Sequence, residues 1–289
     1  PNYMENKMFK ITEKPAWLSE LSSDAFRRLA RNNEVLTTGS EDVIISPAMK
    51  NVDDEEIIDF VESTIYSGHY TDNLIEIERS NLKKLGPRSV ARPWIERREG
   101  LEAYFTTVAP MVREDFHDLI RKYRRIFKVE GRLHPISMDN AVRNLESSSA
   151  GGLPYMQKKG VLREQNLANE RWVDDFPCVV YTRTQEGGKT RNVMGVGISD
   201  VIREMRYHQA FLPKEKSLTW RAAINTPEDV DRSVSAMITS KTSDEVLACL
   251  DFSAYDASIS PVHSGRAFAF IAAHFADKFS TEIFEIYYR

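Results

Sequence analysis

Residues 251 to 261, Asp-Phe-Ser-Ala-Tyr-Asp-Ala-Ser-Ile-Ser-Pro, constrain this chain more than any other stretch, because an apolar run stops there and two carboxylates follow, Asp251 and Asp256. The run ahead of them, Val246-Leu247-Ala248-Cys249-Leu250, is short and continuously apolar, the pattern of a strand buried on both faces. Asp251 is therefore predicted to leave the C-terminal end of a strand and enter a cleft, where a carboxylate can hold a metal ion with little rearrangement. Ser260 and Pro261 read as a helix N-cap and first helical residue, and Phe268, Ile271, Phe275 and Phe279 follow at helical spacing. The predicted unit is strand, acidic turn, helix. Two aspartates so spaced are also common in loops and caps, so other segments must decide between a metal site and an ordinary turn.

Composition narrows the classes. A chain of 289 residues, 42% hydrophobic and 28% charged, can bury a large core and suits one large domain or two ordinary ones. Its longest apolar run, Ala267 to Ala273, is interrupted at His274 and falls short of the roughly 20 residues of a membrane span. The polar stretch Pro1 to Lys10 carries no secretion or membrane signal, so a soluble protein with no membrane partner is expected. Cys178 and Cys249 lie in separate apolar stretches without metal-ligand spacing; they are expected to be buried thiols in a reducing compartment, with no zinc site. The net charge of −4 excludes a globally basic coat but leaves room for a basic channel.

The N-terminal third reads as helical. Asp53 with Glu56 forms a capping box ahead of Ile57, Phe60, Val61 and Ile65 on one helical face. Further helices are predicted over Ser23 to Arg31, with Phe26 and Leu29 inward, and over Asp72 to Leu85. Residues 1 to about 110 are thus a helical extension whose apolar stripes need a partner surface, with a hinge at Gly86-Pro87 through Pro93. Val112, Phe116, Leu119, Ile120, Tyr123 and Phe127 then mark an amphipathic helix. Its outer face carries Arg121, Lys122, Arg124, Arg125 and Lys128, either solvated or a wall for RNA phosphates. After a short helix near Asp139 to Leu145, the stretch Ser147-Ser148-Ser149-Ala150-Gly151-Gly152-Leu153-Pro154-Tyr155 cannot stay helical. Its serines compete for backbone hydrogen bonds, its glycines permit positive φ, and Pro154 restricts Leu153. Such small residues would let a polynucleotide backbone approach closely, with Lys158 and Lys159 just beyond; a plain loop is the alternative.

Phe176 to Arg183 and Thr190 to Gly195 read as two strands joined by the turn Gln185-Glu186-Gly187-Gly188. The hairpin concentrates Arg183, Lys189 and Arg191, and alternation puts Lys189 and Arg191 on one face. Gly188-Lys189-Thr190 is not a Walker P-loop, since Arg183 stands where its first glycine is required. Three cations on a stiff hairpin suit a ligand with several phosphates.

Taken in order, Ser-Ala-Gly-Gly-Leu-Pro-Tyr, Arg-Thr-Gln-Glu-Gly-Gly-Lys-Thr-Arg-Asn-Val-Met-Gly and Asp-Phe-Ser-Ala-Tyr-Asp-Ala-Ser resemble motifs G, F and A of viral RNA-dependent RNA polymerases. The resemblance covers about residues 145 to 289 and is strongest to the picobirnavirus and partitivirus group, picobirnavirus first. It implies an α/β (α+β) right-hand polymerase fold. Residues 1–110 would be the helical N-terminal extension, 111–240 the fingers with template loop and basic hairpin, and 241–289 the start of the palm. It also implies template-directed nucleotidyl transfer with two divalent ions, Mg²⁺ or, in its place, Mn²⁺. By the same resemblance Asp251 is the catalytic metal ligand and Asp256 recognises the ribose 2′-hydroxyl. Arg183, Lys189 and Arg191 bind the triphosphate, and Ser149, Ala150, Gly151, Gly152, Pro154 and Tyr155 guide the template. The implied partners are RNA template and product, nucleoside triphosphates and a viral capsid protein, in the virion interior and host cytoplasm. The family's Gly-Asp-Asp turn and its Ser/Thr-Gly motif with a following Asn do not occur before Arg289. The expectation is the N-terminal part of a longer polymerase, catalytically incomplete by itself. The rival reading is a non-catalytic RNA-binding or scaffolding protein with a polymerase-like fold. A reverse transcriptase is a weaker rival, because such enzymes place an aromatic residue where Asp256 stands.

Overall fold

In chain order the helices and strands of the computed structural model are α1 (Ser23–Thr38), α2 (Asp54–Phe60), α3 (Asp72–Leu82), α4 (Trp94–Glu102), α5 (Phe116–Ile126), α6 (Met138–Arg143), α7 (Lys159–Glu164), β1 (Val179–Thr184), β2 (Thr190–Gly195), α8 (Ile198–Lys216), α9 (Pro227–Ser240), α10 (Tyr255–Ser258), α11 (Pro261–Ala272) and α12 (Ser280–Tyr288). The structure describes residues 15–40, 52–68, 70–82, 91–105, 116–126, 131–164, 176–184, 189–253 and 255–288. Most of the expected hinge, the hairpin turn 185–188, and Val112, Phe127 and Lys128 of the amphipathic helix lie outside the described residues.

Several helices start where the sequence offers a side-chain acceptor for their unpaired N–H groups. Ser22 accepts from Ala25 N at 3.2 Å to open α1, and Asp53 with Glu56 forms the expected capping box of α2. Thr226 and Asp229 box the start of α9 around Pro227, and Ser260 with His263 does so for α11 around Pro261. α1 runs past the expected end at Arg31 because no breaker occurs before Gly39, whose φ of 77° suits glycine. Phe26 and Phe60, expected to face inward, are exposed.

The chain divides into two compact units, Pro1–Leu101 with Cys178–Gly195, and Glu102–Pro177 with Val196–Arg289. In the first, β1 and β2 form an antiparallel ladder pairing Val179 with Gly195 through Thr184 with Thr190. Asn32 of α1 donates to Val180 O at 3.0 Å, and Ser40 bridges Ala91. The second unit is organised on α8, whose i, i+4 pairs serve two cores. Ile198 and Ile202 pack with Ala141, Val142, Leu145 and Leu162. Tyr207 and Phe211 pack with Leu218, Ala272, Phe275 and Ile283. A polar lock joins α8 to α12: Arg206 pairs with Glu282, and Tyr207 Oη donates to Glu282 Oε2 at 2.6 Å. Burial, followed by that hydrogen bond to Glu282, raises the Tyr207 phenol well above its ordinary value. Leu133 bonds His274 O and Ala276 N, which pins Phe275 into the core beyond the end of α11.

Two expectations need correction, the strand over Val246–Leu250 and the buried cysteines. Val246–Leu250 is not a strand: it joins no ladder, and Val246 and Leu250 are 89% and 91% exposed. A strand buried on both faces needs strands beside it and layers above and below it, and among the described residues the only ladder is β1–β2. Among the described residues the architecture is mostly helical with one small sheet, the helix-rich side of the expected α/β (α+β) class. Cys178 and Cys249 are exposed, Cys249 because it lies in that unpaired segment and Cys178 because it precedes the ladder. No helix of the described residues is long and apolar enough to cross a membrane.

Candidate functional site

The hairpin places its cations by pleat and register. Arg183 and Arg191 are direct partners across the ladder, so their side chains share one face, and alternation adds Lys189 to it. All three are exposed, and among the described residues no ion pair engages them. Thr182 and Asn192, the adjacent rung, point to the opposite face. There Arg97 Nη2 donates to Thr182 Oγ1 at 2.9 Å, and Asn192 Nδ2 donates to Arg97 O at 3.2 Å. Arg97 is buried, and that burial lowers its pKa below the usual arginine range.

The segment from Ser147 to Tyr155 is an ordered loop closed on itself. Gly151 N donates to Gln157 O at 2.7 Å, Met156 N to Gly152 O at 2.7 Å, and Lys159 N to Ser149 O at 2.9 Å. Gly152 has φ 67°, and a Cβ there would collide with the Val196 carbonyl. A Cβ on Gly151 would strike Leu162 Cδ1. The close approach that these glycines permit is used by the protein's own core, and Gly151, Gly152 and Leu153 are all buried. Ser147, Ser148, Ala150 and Lys158 are exposed, Ser149, Pro154 and Tyr155 half-buried. Lys159 is drawn inward: burial lowers its pKa, while Glu204 and Glu146 oppose the shift.

Asp251 and Asp256 are both exposed. Asp251 Oδ1 accepts from Phe252 N at 2.8 Å, which turns the carboxylate onto the peptide that follows it. Asp256 lies in the four-residue helix α10, and its carbonyl accepts from Ile259 N at 3.4 Å. Asp256 thus sits on a short helix, and Asp251, expected at the end of a strand, follows an unpaired segment instead. Among the described residues no group of three His, Cys, Asp or Glu could hold a metal. The Asp251 carboxylate is nonetheless a hard oxygen donor of the kind Mg²⁺ takes, as one ligand among several. An apolar cavity of about 360 Å³ lies among Tyr207, Phe211, Phe268, Phe270, Ile271 and Ile283, and no sequence-predicted site residue lines it.

Sequence reasoning missed Arg97, Thr182 and Asn192. The strand alternation that put Lys189 with Arg191 also turns Thr182 and Asn192 to the other face. Nothing local marks Arg97 as buried.

No family model matches the chain. It is 25% identical over 246 residues to a potential RNA-dependent RNA polymerase of human picobirnavirus, a match covering 78% of this chain and 46% of the relative. Among solved structures it is similar to the RNA-dependent RNA polymerase of a human picobirnavirus, with a TM-score of 0.67, 23% identity, and coverage of 91% of this chain and 57% of that one. An insertion-loop deletion mutant of that polymerase matches with a TM-score of 0.68 at the same identity and coverage. The chain thus spans about half the length of the relatives it matches, and its fold is that of part of a viral polymerase. These likenesses agree with the family resemblance carried by the three motifs.

Proposed function

We propose that the chain supplies the triphosphate-binding hairpin and the first catalytic carboxylate of a viral RNA-dependent RNA polymerase. The observation that carries this reading is the hairpin, where Arg183 and Arg191 stand directly opposite each other, exposed, in a chain with a polymerase fold. Like charges in opposed positions repel, so the pair is relieved when an anion carrying several charges lies across it. A nucleoside triphosphate does this, and each planar guanidinium can take phosphate oxygens in two places. Lys189 adds a third, rotatable donor on the same face.

Asp251 would hold a divalent cation, with Mg²⁺ suited to its carboxylate oxygens. When bound, such ions activate the primer 3′-hydroxyl and stabilise charge building on the α-phosphate. Asp256 would accept a hydrogen bond from the ribose 2′-hydroxyl, the group that separates RNA from DNA precursors. Ser149 and Ala150, with Pro154 and Tyr155, would guide the template backbone, while buried Gly151 and Gly152 anchor the loop that presents them. RNA template and product and nucleoside triphosphates are the partners of this reading. A viral capsid protein, and residence in the virion interior and host cytoplasm, belong to the same proposal.

The test is Arg191→Lys in the protein as it is encoded. Lysine keeps the charge and loses the fork, so kcat/KM for nucleotide should fall about tenfold, roughly 1.4 kcal/mol, with RNA affinity and its salt slope nearly unchanged. If RNA affinity drops with its salt dependence while nucleotide kinetics hold, Arg191 belongs to a template channel instead. The non-catalytic reading predicts RNA binding without template-dependent incorporation.

A further inference from the structure

The helical segment that the sequence left without chemistry fastens the hairpin from behind at three places. Asn32 Nδ2 donates to Val180 O at 3.0 Å near one end of the ladder, and Arg92 N donates to Thr190 Oγ1 at 3.0 Å at the other. Between them Arg97 takes hold of both strands, by its Nη2 on Thr182 of β1 and by its carbonyl on Asn192 of β2. Thr182 and Asn192 are partners in the ladder, one rung from the Arg183–Arg191 pair and on the opposite face. α4 therefore splints the sheet directly behind the two arginines.

Arg97 is a costly residue to place there. It is 7% exposed, and among the described residues its Nε and Nη1 have no hydrogen-bond partner and no carboxylate pairs with it. A buried cation without a counter-ion, and with donors unmet, destabilises a fold. Stability alone does not account for it, since an apolar side chain of similar length would fill the space without that penalty. What Arg97 does that an apolar residue cannot is tie Thr182 down, and so fix the twist of the rung on which Arg183 and Arg191 are spaced.

We propose that Arg97 is a positioning residue for nucleotide binding, setting the separation and direction of the Arg183 and Arg191 guanidinium groups through its side-chain hydrogen bond to Thr182, on the rung whose Asn192 its backbone carbonyl also holds. This rests on the reading of the hairpin as a triphosphate platform. Its ligand is a nucleoside triphosphate, which spans both arginines; a single phosphate needs only one of them and is indifferent to their spacing.

The experiment measures ATP and inorganic phosphate binding to the full chain by titration, with unfolding followed by circular dichroism. The variants are Arg97→Met, Thr182→Val, Arg191→Gln and the double variant Arg97→Met/Arg191→Gln. Arg97→Met should weaken ATP about fivefold while phosphate affinity changes less than about twofold and the unfolding midpoint holds or rises. Thr182→Val, which removes only the acceptor, should reproduce much of the ATP effect. The double variant should bind ATP no more weakly than Arg191→Gln alone, because nothing remains to be positioned. Parallel losses of stability and of affinity for both ligands would overturn the proposal, as would additive effects in the double variant. Weakened ATP binding in Arg191→Gln with none in Arg97→Met or Thr182→Val sinks the positioning role alone. Unchanged ATP affinity in Arg191→Gln sinks the platform reading and the positioning role with it.

Discussion

Replacing Arg191 by Gln should slightly stabilise the unliganded chain and strongly weaken triphosphate binding, two effects of opposite sign from one side chain. Arg183 and Arg191 are ladder partners, so their Cα atoms lie about 5 Å apart and their charged heads, on one face, roughly 6 Å apart. Two unit charges at roughly 6 Å repel by about 0.7 kcal/mol at the dielectric of water. Salt at about 0.1 M reduces this to about 0.4 kcal/mol. That figure lies inside the roughly 0.2–1 kcal/mol range of cross-strand pairs. The triphosphate loses a charge-assisted fork worth roughly 1.5–3 kcal/mol, or about tenfold to a hundredfold in affinity. Denaturant unfolding reads the first effect and titration with a fluorescent ATP analogue the second. The stability gain should also fade as salt rises to about 0.5 M, since screening already weakens the repulsion it relieves. A stability loss above about 1 kcal/mol would show that Arg191 has a structural partner. ATP affinity unchanged within about twofold would remove the hairpin from phosphate binding.

In the protein as it is encoded, Asp251→Asn keeps size and removes the anionic ligand, so template-dependent incorporation should fall at least about a hundredfold with an unchanged unfolding midpoint, Asp251 being exposed; near-normal turnover would refute the metal assignment. Asp256→Ala should lower ribonucleotide efficiency more than deoxyribonucleotide efficiency in competition assays, whereas equal losses would indicate a structural role in the short helix α10. His274 is fully buried with Nδ1 2.8 Å from Phe270 O, and burial holds its pKa below the ordinary 6.5. The unfolded chain therefore protonates first as pH falls through 6.5, so this stability is complete above 6.5 and is lost below it until the lower folded value is passed. Urea unfolding of His274→Phe should show a flatter dependence from about pH 6.5 to 5, and curves parallel to the wild type would contradict it. Glu204, raised by burial and then by Asp200, contributes the opposite slope as pH rises above 4.5, in wild type and variant alike.

Much of the local structure was legible in the residues. Asp53 with Glu56, and Ser260 with Pro261, each opened a helix as their residue types require, because a cap depends only on groups within one turn. The hairpin followed from β-branched runs around a glycine turn, and alternation alone put Lys189 beside Arg191. The order of the three motifs by itself resembles that of a polymerase. Tertiary structure decided what alternation and capping cannot. It decided that Val246–Leu250, with the pattern of a buried strand, stands exposed, because burial belongs to the layers around a segment and not to the segment. It decided that Gly151 and Gly152 admit Leu162 and Val196, and that Arg183 meets Arg191 in register. Above all it took Arg97, a charged residue on a largely polar helix, and buried it against Thr182 and Asn192, which lie 85 and 95 positions further along. Local signals reach about one turn of chain; register and burial depend on which distant segments pack together, and only the folded chain brings those into range.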